Sequence, residues 1–212
     1  MDTPLILSTV IIAVAAFLMG SLPTGYIAAR AKGINIKAVG SGNIGATNVT
    51  RAMGKKWGAL VLLIDAFKGF LPVSLVKLWF ASAPVNQLSL LLVMAGFLAV
   101  AGHVFTPFLK FKGGKGIATT LGVLLAINPL LALSMILVWV VVFLATRVSA
   151  LGALTAAVAM PVIVYFLYRG SPLSGTMILF AVVMMLFILF THRENIQRIL
   201  RGEELAFKKG KQ

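Results

Sequence analysis

The run Ile117–Thr146, IATTLGVLLAINPLLALSMILVWVVVFLAT, has thirty residues, no charge and one interruption, Asn128–Pro129. A helix that crosses a bilayer needs about 20 apolar residues. The run is therefore either one long kinked helix or a hairpin of two short ones. Length alone slightly favours the single helix, but charge decides for the hairpin. With a hairpin the chain has seven spans. Arg30, Lys32, Lys37, Arg51, Lys55, Lys56, Lys110, Lys112, Lys115, Arg147, Arg193, Arg198, Arg201, Lys208, Lys209 and Lys211 then share one side, leaving only Lys68, Lys77 and Arg169. Basic loops stay cytoplasmic, so the N-terminus is expected outside and the C-terminus inside. Pro129 suits the start of the fifth helix, where its missing N–H costs nothing.

The rest of the composition agrees. The 212 residues are 60% hydrophobic and 11% charged, with a mean hydropathy of +1.02. A soluble domain could not cover so much apolar surface. An all-α integral membrane protein is expected, as a single polytopic domain over 1–212. Its other spans are Leu5–Ala29, Trp57–Phe80, Leu88–Leu109, Ser149–Tyr168 and Thr176–Phe190, the last running on as Thr191–Arg201. The first segment lacks a basic start and a small-residue cleavage site, so it reads as a retained helix. There is no cysteine, hence no disulfide framework. The net charge of +14 would suggest nucleic acid in a soluble protein. Here the positive-inside bias and anionic lipid explain most of it, leaving a remainder for an anionic substrate. Asp65 and Lys68, three apart on one helix face, read as an ion pair facing the bundle interior.

Three polar stretches stand out, all expected on the cytoplasmic face. Gly40–Arg51, GSGNIGATNVTR, combines glycines with Ser41, Asn43, Thr47, Asn48 and Arg51. Small residues let backbone amides approach a ligand and form an anion-binding nest. Gly102–Gly116, GHVFTPFLKFKGGKG, ends in glycines and lysines just before a helix. A helix start suits phosphate, and lysines add point charge. It is not a Walker A loop, because Gly116 rather than Ser or Thr follows Lys115. His192–Glu204, HRENIQRILRGEE, places His192, Asn195 and Arg198 on one helix face. Ser149 and Arg147 lie on the same side. The five acidic residues, Asp2, Asp65, Glu194, Glu203 and Glu204, build no carboxylate dyad or metal cluster. No metal and no cofactor is expected. The result is a cationic, donor-rich site that binds phosphate and stabilises developing negative charge.

These motifs, with DAFKG at Asp65–Gly69, resemble the bacterial membrane glycerol-3-phosphate acyltransferases that use acyl phosphate as donor, the PlsY family. The resemblance runs nearly end to end. It implies seven membrane helices and a cytoplasmic active site in the bacterial inner membrane. It also implies the reaction: acyl phosphate and sn-glycerol 3-phosphate give 1-acylglycerol 3-phosphate (lysophosphatidate) and inorganic phosphate, the first acylation of phospholipid synthesis. A separate soluble phosphate acyltransferase would supply the donor from acyl carrier protein. The His–Asp motif of acyl-CoA-dependent acyltransferases is absent from the family, and no HxxxxD occurs here. The family's Gly-x-Glu falls on Gly202 and Glu204.

On this basis Arg51, Lys112 or Lys115, and His192 are expected to hold the phosphate of glycerol 3-phosphate. Ser41, Asn43, Thr47 and nearby amides, with Ser149, would hold the acyl-phosphate headgroup. Asn195 completes the polar wall. Gly40, Gly42, Asn48, Gly113, Gly114 and Glu204 are further binding candidates. The general base is His103, His192 or the donor's own phosphate. Two other classes compete. A small-anion transporter would explain the broken fourth segment and the cationic loops, but no internal repeat is visible and the polar motifs sit at one face. A structural protein that recruits anionic lipid would explain the charge, but not the glycine and asparagine pattern.

Overall fold

The computed structural model describes residues 3–207. Lys208, Lys209 and Lys211 of the charge tally lie outside them. The described residues are helical, with no strand among them. They fall into two compact units, Met1–Pro129 and Leu130–Gln212.

In the first unit, α1 (Thr3–Gly20) and α2 (Thr24–Ala31) replace the expected continuous first span. The chain breaks at Ser21–Pro23, because proline removes a helical donor and constrains the residue before it. A 3-10 turn (Ile36–Ala38) leads into the polar loop, followed by the short α3 (Ala46–Met53) and the long α4 (Lys55–Trp79). Next come α5 (Val85–Val104), a second 3-10 turn (Pro107–Leu109) and α6 (Ile117–Ile127). α5 stops five residues short of the expected Leu109, since Pro107 cannot continue it.

Helices α4 and α6 approach closely through glycine. A Cβ at Gly69 would meet the Thr119 carbonyl, and one at Gly122 the Ala66 carbonyl. α1 and α5 use Gly20 and Gly102 in the same reciprocal way, against Ala99 and Phe17. Small residues at such crossings let backbones approach where lipid supplies no hydrophobic drive. The large side chains pointing away, such as Leu63, Phe67, Leu78 and Trp79, are exposed. Their surroundings are then lipid rather than water.

Side chains satisfy carbonyls at two of the helix interruptions, as a low-dielectric setting demands. Lys68 Nζ donates to the Leu22 carbonyl at 2.6 Å. Thr106 Oγ1 donates to the Ser21 carbonyl at 2.6 Å. At the end of α6, Lys77 Nζ reaches the Ala126 carbonyl at 3.4 Å.

The second unit holds α7 (Pro129–Thr146, from Leu130 on), α8 (Ser149–Tyr168), α9 (Ser174–Thr191) and α10 (Arg193–Leu200). Trp139 of α7 packs on Gly152 of α8 and donates its Nε1–H to the Ser149 carbonyl at 3.2 Å. Phe143 stacks on Trp139, and Phe207 meets Phe143 edge-on while its N–H bonds the Arg147 carbonyl at 3.0 Å. The tail therefore returns to the α7–α8 turn.

The division at Asn128–Pro129 is present: Asn128 is extended, as a residue before proline must be, and α7 starts afresh. Among the described residues six helical segments are long and apolar enough to cross a membrane, the first of them counted as Ile6–Ala31. α6, with 11 residues, spans about 16 Å at 1.5 Å per residue, roughly half the hydrocarbon core. The expected continuous helix through Thr191–Arg201 is corrected by a turn at His192, which ends α9 and starts α10.

Candidate active site

The loop Gly40–Gly45 is built around Asn48. This side chain, 1% exposed, reaches back from α3 into the loop. Its Oδ1 accepts the Ser41 N–H at 2.9 Å. Its Nδ2 faces the carbonyls of Val39 and Asn43, both at 2.9 Å, and of Ile36 at 3.3 Å. Gly40 has φ +58, and a Cβ there would strike Asn48 Oδ1, so glycine is required on both counts. Asn43 Oδ1 accepts the Gly45 N–H at 2.8 Å, an Asx turn that delivers the chain into α3. Beneath lies an apolar floor of Ala29, Ile36, Ile44, Val49 and Val61. Ser41, Thr47 and Arg51 are half-buried along the loop and the first turns of α3. Asn48, expected among the binding residues, braces the loop through a carboxamide that bonds its backbone.

The second loop folds back on the end of α5. Lys110 and Phe111 both take left-handed backbone, φ 55 and 60. The Gly113 N–H then bonds the Val104 carbonyl at 2.9 Å and the Gly114 N–H the His103 carbonyl at 3.1 Å. A Cβ at Gly113 would meet those same carbonyls, and one at Gly114 would meet the His103 ring at Nε2. Lys110 and Lys112 are exposed and Lys115 is half-buried, so the loop presents its cations outward from a glycine base.

Under that base is a buried group of ionisable side chains. Lys68 Nζ lies 2.8 Å from Asp65 Oδ1, and the side chains are 6% and 2% exposed. His103 Nδ1 is 3.7 Å from the same oxygen, with its side chain 4% exposed. The expected ion pair on α4 is present. Sequence reasoning missed its third member, because His103 comes from another helix. The ring of His103, expected among the possible bases, lies beneath Gly114.

In the second unit, His192 Nδ1 is 3.0 Å from the Ile188 carbonyl and 3.2 Å from Thr191 Oγ1. A carbonyl only accepts, so Nδ1 carries the proton and Nε2 is the basic nitrogen of the neutral ring. Asn195 donates Nδ2–H to Glu204 Oε1 at 2.8 Å, and Arg198 Nε–H donates to Glu204 Oε2 at 2.8 Å. Glu204 is a nearly buried acceptor. Glu204, expected among the binding residues, clasps Asn195 and Arg198 together. Ser149 starts α8, half-buried, its carbonyl held by Trp139. Among the described residues no group of three or more His, Cys, Asp or Glu could hold a metal.

The described residues are thus a helical protein with membrane-length apolar segments and two glycine-built loops that carry basic side chains. Comparison with known proteins narrows this. The family model described as "Glycerol-3-phosphate acyltransferase" matches residues 10–202, across both units. Glycerol-3-phosphate acyltransferases of Geobacter sulfurreducens and Aquifex aeolicus are similar, at 43% identity over 95% of this chain and 99% of the relative, and 41% over 91% and 95%. That of Myxococcus xanthus is 45% identical over 90% of this chain and 95% of its own. Two crystal structures of PlsY, an integral membrane glycerol 3-phosphate acyltransferase, also match. The glycerol 3-phosphate form has a TM-score of 0.84 and 39% identity, covering 95% of this chain and 96% of that one. The lysophosphatidic acid form has a TM-score of 0.83 and 38% identity over the same shares. The chain belongs to the glycerol-3-phosphate acyltransferase family and is an integral membrane protein.

Proposed function

We propose that this acyltransferase takes a fatty acyl group from acyl phosphate. The hydroxyl oxygen of sn-glycerol 3-phosphate bonds to the acyl carbon, the bond from that carbon to the phosphate oxygen breaks, and lysophosphatidate and inorganic phosphate leave. The hydroxyl proton ends on the departing phosphate, directly or by way of His192 Nε2. A mixed anhydride is already activated, so the protein need mainly position the reactants and stabilise charge. The observation that carries the reading is the loop Gly40–Gly45, fixed in shape by a buried asparagine and followed at once by a helix start and Arg51. Ser41, Asn43, Thr47 and nearby amides are assigned to the acyl-phosphate headgroup. Arg51, with Lys112 or Lys115, is assigned to the phosphate of glycerol 3-phosphate. The roles given to His192, Asn195 and Ser149 rest on the sequence. The donor, its supply by a soluble phosphate acyltransferase, the inner-membrane location and the cytoplasmic face of the site belong to the same proposal.

The test is product formation by purified protein in lipid. Phosphate and lysophosphatidate should appear in equal amounts from acyl phosphate and not from acyl-CoA. Turnover with acyl-CoA alone would refute the donor. Anion flux through sealed vesicles without acyl transfer would favour a transporter. If His192→Ala keeps most of its turnover at saturating substrate, the proton goes directly to the donor's phosphate.

A further inference from the structure

Three ionisable side chains buried together under a loop are costly: the effective penalty for burying an ion is several kcal/mol, and an apolar trio of the same volume would often be as stable. Here the trio touches two places where backbone geometry is unusual. Lys68 binds the Leu22 carbonyl at the α1–α2 break. His103 contacts the second loop twice, through its carbonyl to the Gly114 N–H and through its ring against the Gly114 Cα. Asp65 joins the two, 2.8 Å from Lys68 and 3.7 Å from His103. Between the ring and the loop there is no room even for a methyl group. The ring therefore acts as a stop that sets how far Gly113–Lys115 can sink toward α5, with Asp65 beside it at 3.7 Å.

We propose that Asp65, Lys68 and His103 form a buried positioning unit that sets the height of the Gly113–Lys115 loop and hence its grip on the phosphate of glycerol 3-phosphate. This rests on the assignment of that loop to the phosphate. His103 acts through the loop, as a positioning residue and not as the base. A change at His103 then weakens glycerol 3-phosphate binding while leaving the chemical step intact once the substrate is bound.

The experiment is a double-mutant cycle between His103→Ala and Gly114→Ala in the full-length protein, reading KM for glycerol 3-phosphate and kcat at saturation. Each single change should raise KM about tenfold, equal to about 1.4 kcal/mol, with kcat within a few-fold. The double variant, in which the shortened side chain makes room for the added methyl, should fall well short of the product of the two effects, as residues in contact do. Asp65→Asn should shift KM in the same direction. A collapse of kcat with KM unchanged, or strictly multiplicative effects, would overturn the proposal. If His103→Ala does not fold, His103→Gln supplies the same readout, and failure of both to fold would mark the trio as merely structural. Equilibrium binding of radiolabelled glycerol 3-phosphate separates this inference from the reading beneath it. Unchanged affinity in both Lys112→Ala and Lys115→Ala would overturn the loop's assignment and the inference together. Weaker binding in either lysine variant with normal binding in the His103 and Gly114 variants would overturn the inference alone.

Discussion

Replacing Asn48 with alanine removes one acceptor and one carboxamide donor group from the centre of the first loop. The groups that lose their nearest partners are the Ser41 N–H and the Val39 and Asn43 carbonyls, all at 2.9 Å. At about 1 kcal/mol net for each bond, the ordered loop loses about 3 kcal/mol relative to open forms. That is a factor of about a hundred in the equilibrium between them. The global fold is spared most of this, because the loop is half-exposed and its freed groups can bind water. Affinity for a ligand that needs the ordered loop falls in proportion to the fraction that remains ordered. Asn48→Ala should therefore lower kcat/KM for the donor by one to two orders of magnitude, with only a small drop in melting temperature. Asn48→Asp should be worse, since it sets a carboxylate against the same carbonyls. The assay is lysophosphatidate formation against acyl-phosphate concentration, beside a thermal melt of the same samples. An Asn48→Ala protein within twofold of wild type would refute the bracing argument. One that loses its fold as well would show that the asparagine holds more than the loop.

Arg51→Ala, if the guanidinium meets the substrate phosphate, should raise KM for glycerol 3-phosphate by about thirtyfold or more, the usual cost of removing a charged partner from a binding pair. A folded variant with normal glycerol 3-phosphate dependence would assign Arg51 to structure. Glu204→Ala strips the partner from both Asn195 and Arg198 and should destabilise the second unit by about 2 kcal/mol. Glu204→Gln, which still accepts from Asn195, should recover part of the loss in a thermal melt; equal behaviour of the two would count against the clasp. Lys77→Met removes the 3.4 Å bond to the Ala126 carbonyl and should lower the melting temperature slightly while KM for both substrates stays put. A large kinetic change would show that the end of α6 reaches the site.

Much of this was legible in the chain because lipid leaves so few options. Long uncharged runs had to be helices, and Pro129 marked where one of them starts afresh. Pro23 and Pro107 ended helices that were expected to run on, whereas Pro72 and Pro161 lie inside continuous ones. The helix that ends at Thr191 and resumes at Arg193 gave no such sign: no proline or glycine marks that turn. The polar loops announced themselves by composition, but composition does not say which way a side chain points. Asn43 and Asn48 are the same residue type five positions apart. One forms a local turn and the other, from the first turn of α3, reaches back to hold the loop. Glu204 looked like part of a binding motif because it lies in one, yet a carboxylate clasping Asn195 and Arg198 is a support. The pairing of Asp65 with His103 was hidden for a different reason. They sit on separate helices, and periodicity along one helix cannot reveal a neighbour on another.

The charge tally that chose the hairpin left three exceptions, and two of them are now accounted for. Lys68 and Lys77 both belong to α4, which runs as one continuous helix beside two interrupted ones. Each directs its ammonium to a carbonyl at an interruption: Leu22, where α1 gives way to α2, and Ala126, in the last turn of α6. A carbonyl at the end of a helix carries partial negative charge and lacks an intrahelical partner. In hydrocarbon that group has no water to turn to, so a lysine from the neighbouring helix is a natural partner. Neither lysine therefore reports on which side of the membrane its end of α4 lies. Arg169, lying over the Phe166 ring at 5.5 Å, is left as the one basic residue among the described residues that the orientation does not explain. A chain of this family that joined α1 to α2 without a break would leave Lys68 only its pairing with Asp65.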